Sequence, residues 1–198
     1  MRNAETPVLK FALYGAHSSL GSALLSELLS RQHEAVAVVG ELNGVDVHPG
    51  LRTKLGDLYD ASSVGESVAG MDAVIVFASA PRLPVGSADL SPTRQGDLLG
   101  ALQALDAGLP KAKVRRLLLI VDPAYLDDAC SALLLDGSLD WTLVAAPEIT
   151  GDFVLDDFRR NQQDDASTPM HSLRRIAAGL VDELENPQHR REMMNFVL

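Results

Sequence analysis

The chain has 198 residues, of which 46% are hydrophobic and 22% are charged, a composition typical of a folded domain with a substantial core. No apolar run approaches the roughly 20 residues that cross a bilayer, and the first ten residues lack the apolar stretch of a signal peptide, so we expect a cytoplasmic protein with no membrane partner. The formal net charge of −10 disfavours nucleic acid as a partner.

Short apolar runs alternate with longer amphipathic ones along the chain, which predicts strands alternating with helices. The predicted strands are 8–14, 35–39, 51–58, 72–78, 116–121 and 141–146, with a last strand or tail at 196–198. The predicted helices are 20–29, 60–69, 92–107, 126–135 and 173–184, with a short one near 153–160. Continuously apolar strands are typical of parallel sheets. We therefore predict a single-domain α/β fold with a doubly wound, mostly parallel, Rossmann-like sheet.

The turn between the first predicted strand and the first predicted helix carries the most informative motif. It reads Gly15-Ala16-His17-Ser18-Ser19-Leu20-Gly21. Backbone N–H groups and the dipole at a helix N-terminus favour negative charge, so a pyrophosphate fits such a turn. Gly15 permits the tight turn, and Gly21 permits close packing of the helix on the strand. A turn of the same shape without a ligand is the alternative.

This turn resembles the Gly-x-x-Gly-x-x-Gly motif of the atypical and extended short-chain dehydrogenase/reductases, above all the NmrA-like and biliverdin or flavin reductase-like group. Ser18 replaces the middle glycine, and His17 replaces the usual threonine. Similar segments occur in the family's order at 56–60, 70–75, 139–143 with Pro147, and 180–189. The resemblance implies an NAD(P)-binding domain over 1–198, with a small substrate-side segment at about 147–198.

The resemblance also implies a set of cofactor-binding residues. They are Gly15, His17, Ser18, Ser19, Leu20, Gly21, Glu41, Asp57, Leu58, Ala78 and Ser79. NADP-binding members usually place an arginine after the second strand, where this chain has Glu41. A carboxylate accepts from a ribose hydroxyl and repels a 2′-phosphate, so NAD is favoured over NADP. A solvated loop residue is the alternative for Glu41.

Two residues of the turn have open roles. Ser18 either donates its hydroxyl proton to a phosphate oxygen or weakens binding through its bulk, and a degenerated site would hold no cofactor. His17 either contacts a phosphate or ribose or points to solvent.

The catalytic residues are unknown from the sequence. Typical short-chain dehydrogenases use a Tyr-x-x-x-Lys pair, and no lysine stands four positions after Tyr14, Tyr59 or Tyr125. Asp122 and Tyr125 come after the fifth predicted strand, where open α/β sheets bind ligands, and they are candidates for binding or protonating a substrate. A turn stabilised by Asp and Pro explains the same residues.

Other residue types give little sign of a second site. The histidines lack metal-ligand spacing, so we predict no metal. The single cysteine, Cys130, lies in an apolar helical stretch and is predicted to be a core residue. Paired arginines at 159–160, 174–175 and 190–191 are interpreted as solvated helix faces, with a small anionic ligand or an acidic partner surface as the alternative.

Two functions are consistent with these features. The first is an NAD(P)-binding oxidoreductase acting on an unidentified small molecule, with the nicotinamide near 78–81 and 122–125. The second is a catalytically lapsed dinucleotide-sensing regulator or protein-interaction module of the same fold. The sequence does not give the substrate, the oligomeric state, or whether the protein is an enzyme.

Overall fold

The computed structural model describes residues 7–42, 48–78, 98–147, 152–160 and 168–195. The strands in these ranges are β1 Lys10–Tyr14, β2 Glu34–Val39, β3 Leu51–Leu55, β4 Ala73–Phe77, β5 Arg116–Val121, β6 Asp140–Ala145 and β7 Glu192–Met194. The helices are α1 Ser19–Ser30, α2 Ala61–Ser67, α3 Leu98–Gly108, α4 Asp128–Asp136, α5 Leu155–Arg160 and α6 Pro169–Glu185, with a 3-10 turn at Pro123–Tyr125. None of the described helices is both long and apolar enough to cross a membrane.

All seven strands form one parallel sheet in the order β3-β2-β1-β4-β5-β6-β7. The chain runs outward from β1 to β3, then returns to the other side of β1 to begin β4. The order therefore reverses between β1 and β4, which is the point where open α/β sheets bind ligands. The predicted doubly wound Rossmann-like sheet is confirmed.

Helices cover both faces of this sheet, and each face has its own apolar core. Phe11 and Leu13 point to the face that carries α1, α5 and α6, whereas Ala12 and Tyr14 point to the face that carries α2, α3 and α4. This alternation along β1 is the two-residue period of a strand. Cys130 is 1% exposed within the second core, which confirms it as a core residue.

Three predicted elements either differ from the structure or extend beyond the described residues. The described chain ends with a strand at Glu192–Met194 that was not predicted, and the strand or tail predicted at 196–198 lies outside the described ranges. Gly108 was expected to stop α3 but is its last helical residue, where a Cβ would come within 2.6 Å of the Ala61 carbonyl oxygen. Its missing side chain therefore lets α3 pack closely on α2. The predicted start of α3 near Pro92 lies outside the described ranges.

Helix α6 is joined to α1 by charged side chains. Arg31, at the end of α1, donates to Asp182 at 2.6 Å and to Glu185 at 2.7 Å. His33 is 2% exposed and accepts from the Leu9 amide through Nδ1, so its Nε2 proton is directed to Glu185 at 2.8 Å. These contacts join the C-terminal end of α1 to α6.

A buried ion pair joins α6 to the amino ends of β5 and β6. Arg116 is 8% exposed and donates to Glu183 at 2.9 Å and to the Thr142 hydroxyl at 2.7 Å. Burial alone raises the pKa of Glu183, but hydrogen bonds from His189 and Gln188 and the Arg116 charge outweigh it, so the pKa lies below its ordinary value. This cluster lies at the sheet edge opposite the ligand-binding edge.

Candidate functional site

The turn between β1 and α1 is built around two close backbone approaches. Gly15 has φ +97°, a conformation that side chains rarely adopt, and a Cβ there would lie 2.6 Å from Phe77 Cδ2. A Cβ on Gly21 would lie 2.1 Å from the Gly15 carbonyl oxygen. Glycine is therefore required at both positions for the strand to turn sharply and for α1 to pack against it.

Ser18 closes this turn from inside. Its hydroxyl donates to the Gly15 carbonyl oxygen at 2.8 Å and accepts from the Gly21 amide at 2.9 Å, which makes it the N-cap of α1. The residue is 2% exposed. A hydroxyl has one proton, and here that proton is directed to Gly15 rather than outward. The side chain that replaces the family's middle glycine thus occupies the interior of the turn.

The first helical residues of α1 come directly after this cap. Ser19 begins the helix, and its hydroxyl accepts from the Phe153 amide at 2.9 Å. Leu20 is fully buried in the core between α1 and α6. No acidic side chain occupies the first turn of the helix, so its partial positive charge is not offset there. The backbone of this turn is suited to an anion.

His17 lies in the same turn with one ring nitrogen unsatisfied. Its Nε2 is buried and has no hydrogen-bond partner within the part of the chain that the structure describes. A buried polar atom without a partner is uncommon and is often explained by a ligand or by water. The two roles expected for His17 both remain predictions.

The candidate residues after β2 and β3 lie at the same edge of the sheet as the turn. Glu41 is exposed, two residues beyond the end of β2. Asp57 accepts from the Tyr59 amide at 2.9 Å, which orders the connection between β3 and α2. Leu58 is partly buried against the core beneath α2 and α3. Parallel strands bring these positions to one edge, as expected from the sequence.

The ends of β4 and β5 supply the remaining candidates. Ala78 is 4% exposed, and its amide donates to the Ile120 carbonyl oxygen at 3.0 Å, so the pairing of β4 with β5 continues through it. Ser79 lies outside the described residues. Asp122 accepts from the Ala124 amide at 3.0 Å and caps the 3-10 turn, while Tyr125 is 41% exposed in that turn. Asp122 therefore has the turn-stabilising role that the sequence left open.

Tyr14 is the tyrosine nearest to the glycine turn in the chain. It is 5% exposed, and its hydroxyl is 2.7 Å from Ser67 Oγ. Burial raises its pKa to about 12, so the phenol keeps its proton at neutral pH. Because it lies inside the core under α2, Tyr14 is not placed to donate a proton to a substrate.

The paired arginines are engaged by protein groups wherever the structure gives a contact. Arg190 pairs with Asp140 at 2.7 Å, and Arg191 donates to the Gly137 carbonyl oxygen at 3.0 Å. Arg174 donates to the Phe158 carbonyl oxygen. These three side chains therefore have structural roles, which does not favour the alternative that the paired arginines bind a small anionic ligand. No group of three His, Cys, Asp or Glu side chains suited to a metal occurs within the described ranges.

The glycine turn coincides with the start of a match to a known protein family. The model of a family described as NAD(P)H-binding matches residues 15–133, which is more than half of the chain and begins at the first glycine of the turn. The chain belongs to the NAD(P)H-binding family. This membership accords with the expected atypical short-chain dehydrogenase/reductase type. The comparison with curated proteins gave no significant match.

Solved structures of similar fold include several that concern nicotinamide cofactors. A candidate NADH-flavin reductase from Streptococcus pneumoniae is 19% identical, with 94% of this chain and 98% of that chain covered and a TM-score of 0.58. The enzyme WbmH from Bordetella bronchiseptica, solved with NAD+, is 18% identical, with 96% and 76% covered and a TM-score of 0.58. A short-chain dehydrogenase/reductase from Veillonella parvula, solved with NADP, is 12% identical, with 96% and 94% covered and a TM-score of 0.63.

These identities are low, so the structures show the shared fold. Together with the family match they make the chain an NAD(P)-binding protein of the oxidoreductase-like fold, with a small-molecule ligand. One relative was solved with NAD+ and another with NADP, so the choice of cofactor is left to the residues of this chain.

Sequence reasoning missed one residue at the site, Phe153. Its amide reaches Ser19 across 134 residues of chain. The contact is made by a backbone N–H, which every residue except proline carries, so no residue type in the sequence marks it. Phe153 and Phe158, two aromatic residues among the charged residues of 152–160, are the signal that could have drawn attention to this segment.

Proposed function

We propose that this chain binds a nicotinamide dinucleotide across the carboxyl edge of its sheet. The pyrophosphate would rest on the turn from Gly15 to Gly21, and the nicotinamide would lie at the ends of β4 and β5, near Ala78 and Asp122. The observation that carries the proposal is the position of this turn. It places a helix N-terminus, with no acidic side chain in the first turn of that helix, at the reversal point of the strand order.

Ser18 is compatible with this binding mode. Its hydroxyl bridges Gly15 and Gly21 inside the turn, so its bulk is directed away from the outer face that an anion would approach. The cap uses the amide of Gly21, the third residue of the helix, so the hydroxyl takes up a donor that lies inside the turn. We therefore propose that the replaced glycine alters the internal bonding of the turn without abolishing the site.

We further propose that NAD is preferred over NADP. Glu41 stands exposed just beyond β2, at the edge where the ribose of the adenosine half would lie. A carboxylate there accepts from a 2′-hydroxyl and repels a 2′-phosphate.

For activity, we propose hydride transfer between the cofactor and a small molecule bound beside the ends of β4 and β5. The cofactor supplies the hydride chemistry, and the protein supplies position and electrostatics. Tyr125 is the candidate to hold or donate a proton, because it is partly exposed at that edge while Tyr14 is buried. The proposed cytoplasmic location rests on the sequence alone.

A second candidate function is a dinucleotide sensor without turnover. The absence of a lysine four positions after any of the three tyrosines favours it, because the usual activated tyrosine is then missing. Both functions require the same binding event, so they differ only in whether hydride transfer occurs after the dinucleotide has bound.

The experiment is a thermal-unfolding titration with NAD, NADH, NADP and NADPH. At a ligand concentration of 100 times Kd, linkage adds about 2.7 kcal/mol, which raises the melting temperature of a chain of this size by about 5 to 10 °C. No rise at millimolar concentration with any of the four would contradict the proposal. Oxidation of NADH by quinones, flavins or carbonyl compounds supports the enzyme, whereas a rise without any such oxidation supports the sensor.

A further inference from the structure

Strand β3 lies at one end of the sheet, and no strand of the described ranges pairs with its outer side. The Gly56 amide donates to the Val39 carbonyl oxygen of β2. In a parallel pair, alternate residues bond to the same neighbour, so the even-numbered residues of β3 are the ones that bond to β2. The N–H and C=O groups of Thr53 and Leu55 therefore point outward, where a further strand could pair with them.

A groove of about 330 Å³ lies beside this free edge, between β3 and α2. It is lined by Thr53, Lys54 and Leu55 of β3, by Glu66 and Ser67 of α2, and by Leu42 after β2. Leu42 is 58% exposed and Leu55 is 56% exposed, so two large apolar side chains lie uncovered next to unpaired backbone groups. Such an edge is the kind of surface to which an extended peptide adds as a strand.

The charges at this edge are mainly positive. Arg52 and Lys54 share the face of the sheet that carries α2. Arg52 is exposed, Lys54 Nζ donates to a backbone carbonyl oxygen of α2 at 3.1 Å, and neither has an ion pair with a residue that the structure describes. One carboxylate, Glu66, lines the groove from the helix, while Glu41 and Asp57 lie beyond the carboxyl ends of β2 and β3. The middle of the edge thus carries two cations against one carboxylate, on a chain whose net charge is −10.

These cations make a second copy of the chain a poor partner for this edge. Antiparallel pairing of two β3 strands about Thr53 would place Arg52 directly opposite Lys54 on both sides. Sliding one strand by two residues in either direction would place Arg52 opposite Arg52, or Lys54 opposite Lys54. Like charges directly opposite one another destabilise a strand pair, whereas opposite charges stabilise it. The strand that fits here carries carboxylates at alternate positions.

We propose that the free edge of β3 and its groove are a docking site for an extended acidic segment of a partner protein, which adds a strand to the sheet. The backbone of the segment pairs with Thr53 and Leu55, and its carboxylates lie opposite Arg52 and Lys54. Apolar side chains between the carboxylates point to the other face and cover Leu55. Main-chain hydrogen bonds supply affinity, and the alternate side chains select the partner. This inference does not depend on dinucleotide binding.

The test is a titration of the native chain with an end-blocked peptide in which two glutamates alternate with three valines between terminal threonines. Amide chemical shifts in the assigned NMR spectrum report the binding. We expect saturable shifts of the Thr53 and Leu55 amides below about 1 mM peptide. The same peptide with lysine in place of both glutamates should bind about tenfold more weakly. No saturable shift of these two amides, or equal affinity for the two peptides, would overturn the proposal.

A charge reversal on the protein should reverse the preference between the peptides. Arg52→Glu combined with Lys54→Glu is expected to bind the lysine peptide about tenfold more tightly than the glutamate peptide. Lys111→Glu combined with Arg115→Glu is the matched control, because it makes the same change of charge at exposed positions between α3 and β5. This control should keep the native preference, and an equal reversal in it would show that only net charge matters and would overturn the site. If the first variant fails to fold, the two peptides on the native chain still decide.

Thr53→Pro tests the pairing of the backbone. Proline lacks the N–H group, and an edge strand tolerates it where that group faces away from the sheet. We expect Thr53→Pro to bind the glutamate peptide about tenfold more weakly, whereas Thr53→Val, which keeps the N–H, should stay within about threefold of the native chain. Equal binding by the native chain and Thr53→Pro would contradict strand addition. Should sedimentation show a native dimer that Thr53→Pro dissociates, the occupant is a second copy and the proposal is wrong.

Discussion

Substituting Gly15 by alanine tests the geometry of the turn most sharply. Gly15 has φ +97°, and placing an L side chain in a left-handed conformation costs about 1 to 2 kcal/mol. The new Cβ would also lie 2.6 Å from Phe77 Cδ2, and such overpacking costs about 1 to 3 kcal/mol. We therefore expect Gly15→Ala to lower the free energy of unfolding by about 2 to 5 kcal/mol.

Phe77→Ala tests the contribution of the ring to this cost. It removes the ring atoms at 2.6 and 2.8 Å from the new Cβ but keeps the Phe77 Cβ, which is also at 2.8 Å. Gly15→Ala should therefore cost less in the Phe77→Ala background than in the native chain, with a favourable coupling of about 1 kcal/mol between the two substitutions. Gly40→Ala is the matched control, because nothing lies within 4 Å of its added Cβ and its φ is not positive.

The assay is urea denaturation of the native chain, the two single variants, the double variant and the Gly40→Ala control. Equal slopes of unfolding free energy against urea are needed for the cycle to be interpreted as stability. Additivity within about 0.5 kcal/mol would refute the argument, because residues that do not touch are additive to that extent. A Gly15→Ala variant as stable as the Gly40→Ala control would refute it more simply.

Three further substitutions test other parts of the structure. Glu41→Arg should raise the affinity for NADP relative to NAD by about tenfold or more, which is the contribution of one charge-assisted hydrogen bond. Titration of the variant with both ligands measures this ratio of affinities. An unchanged ratio would mean that Glu41 is a solvated loop residue. Ser18→Ala should lower the free energy of unfolding by about 1 kcal/mol, and Ser18→Gly should lower it by about a few tenths of a kcal/mol. Both variants should bind NADH with a Kd within about threefold of that of the native chain. A roughly tenfold tighter Kd for Ser18→Gly would show that the serine side chain obstructs the ligand. Glu183→Gln should cost about 3 to 5 kcal/mol at neutral pH because it removes the buried carboxylate that accepts from the Arg116 guanidinium. The pKa of Glu183 is lower in the folded state than in the unfolded state, so the ionised carboxylate stabilises the fold above the unfolded-state pKa, and this stabilisation is lost as the pH falls through the folded-state pKa. Urea denaturation should therefore show that the native chain and the variant become equally stable in acid. A difference in stability that does not change with pH would contradict the assignment.

Most of the sheet could be predicted from the sequence because its central strands are buried on both faces. The residues of β4, and those of β5 after Arg116, are unbroken apolar runs, which is what a parallel sheet with two covered faces demands. The signal weakens at the edges: β3 contains Arg52, Thr53 and Lys54, and the prediction for it extended three residues too far. The three residues of β7 carry no such run, because that strand is exposed and is defined by its pairing with β6.

The glycine turn could be predicted because its demands are local. A strand end, two glycines and a helix start occur within a few residues, and each has a residue signature. The inward direction of the Ser18 hydroxyl could not be predicted, because a serine at an N-cap and a serine facing a ligand look alike in the sequence. The Ser19–Phe153 contact could not be predicted either, since it depends on how α5 packs against α1.

The central claim is that the turn from Gly15 to Gly21 holds the pyrophosphate of a nicotinamide dinucleotide. The most direct test is an NADH titration monitored by amide chemical shifts in the assigned NMR spectrum. We predict saturable shifts centred on the amides of Ser19, Leu20 and Gly21, with a single Kd shared by all three. Binding that shifts other amides and leaves these three unchanged, or no saturable shift at millimolar NADH, would contradict the claim.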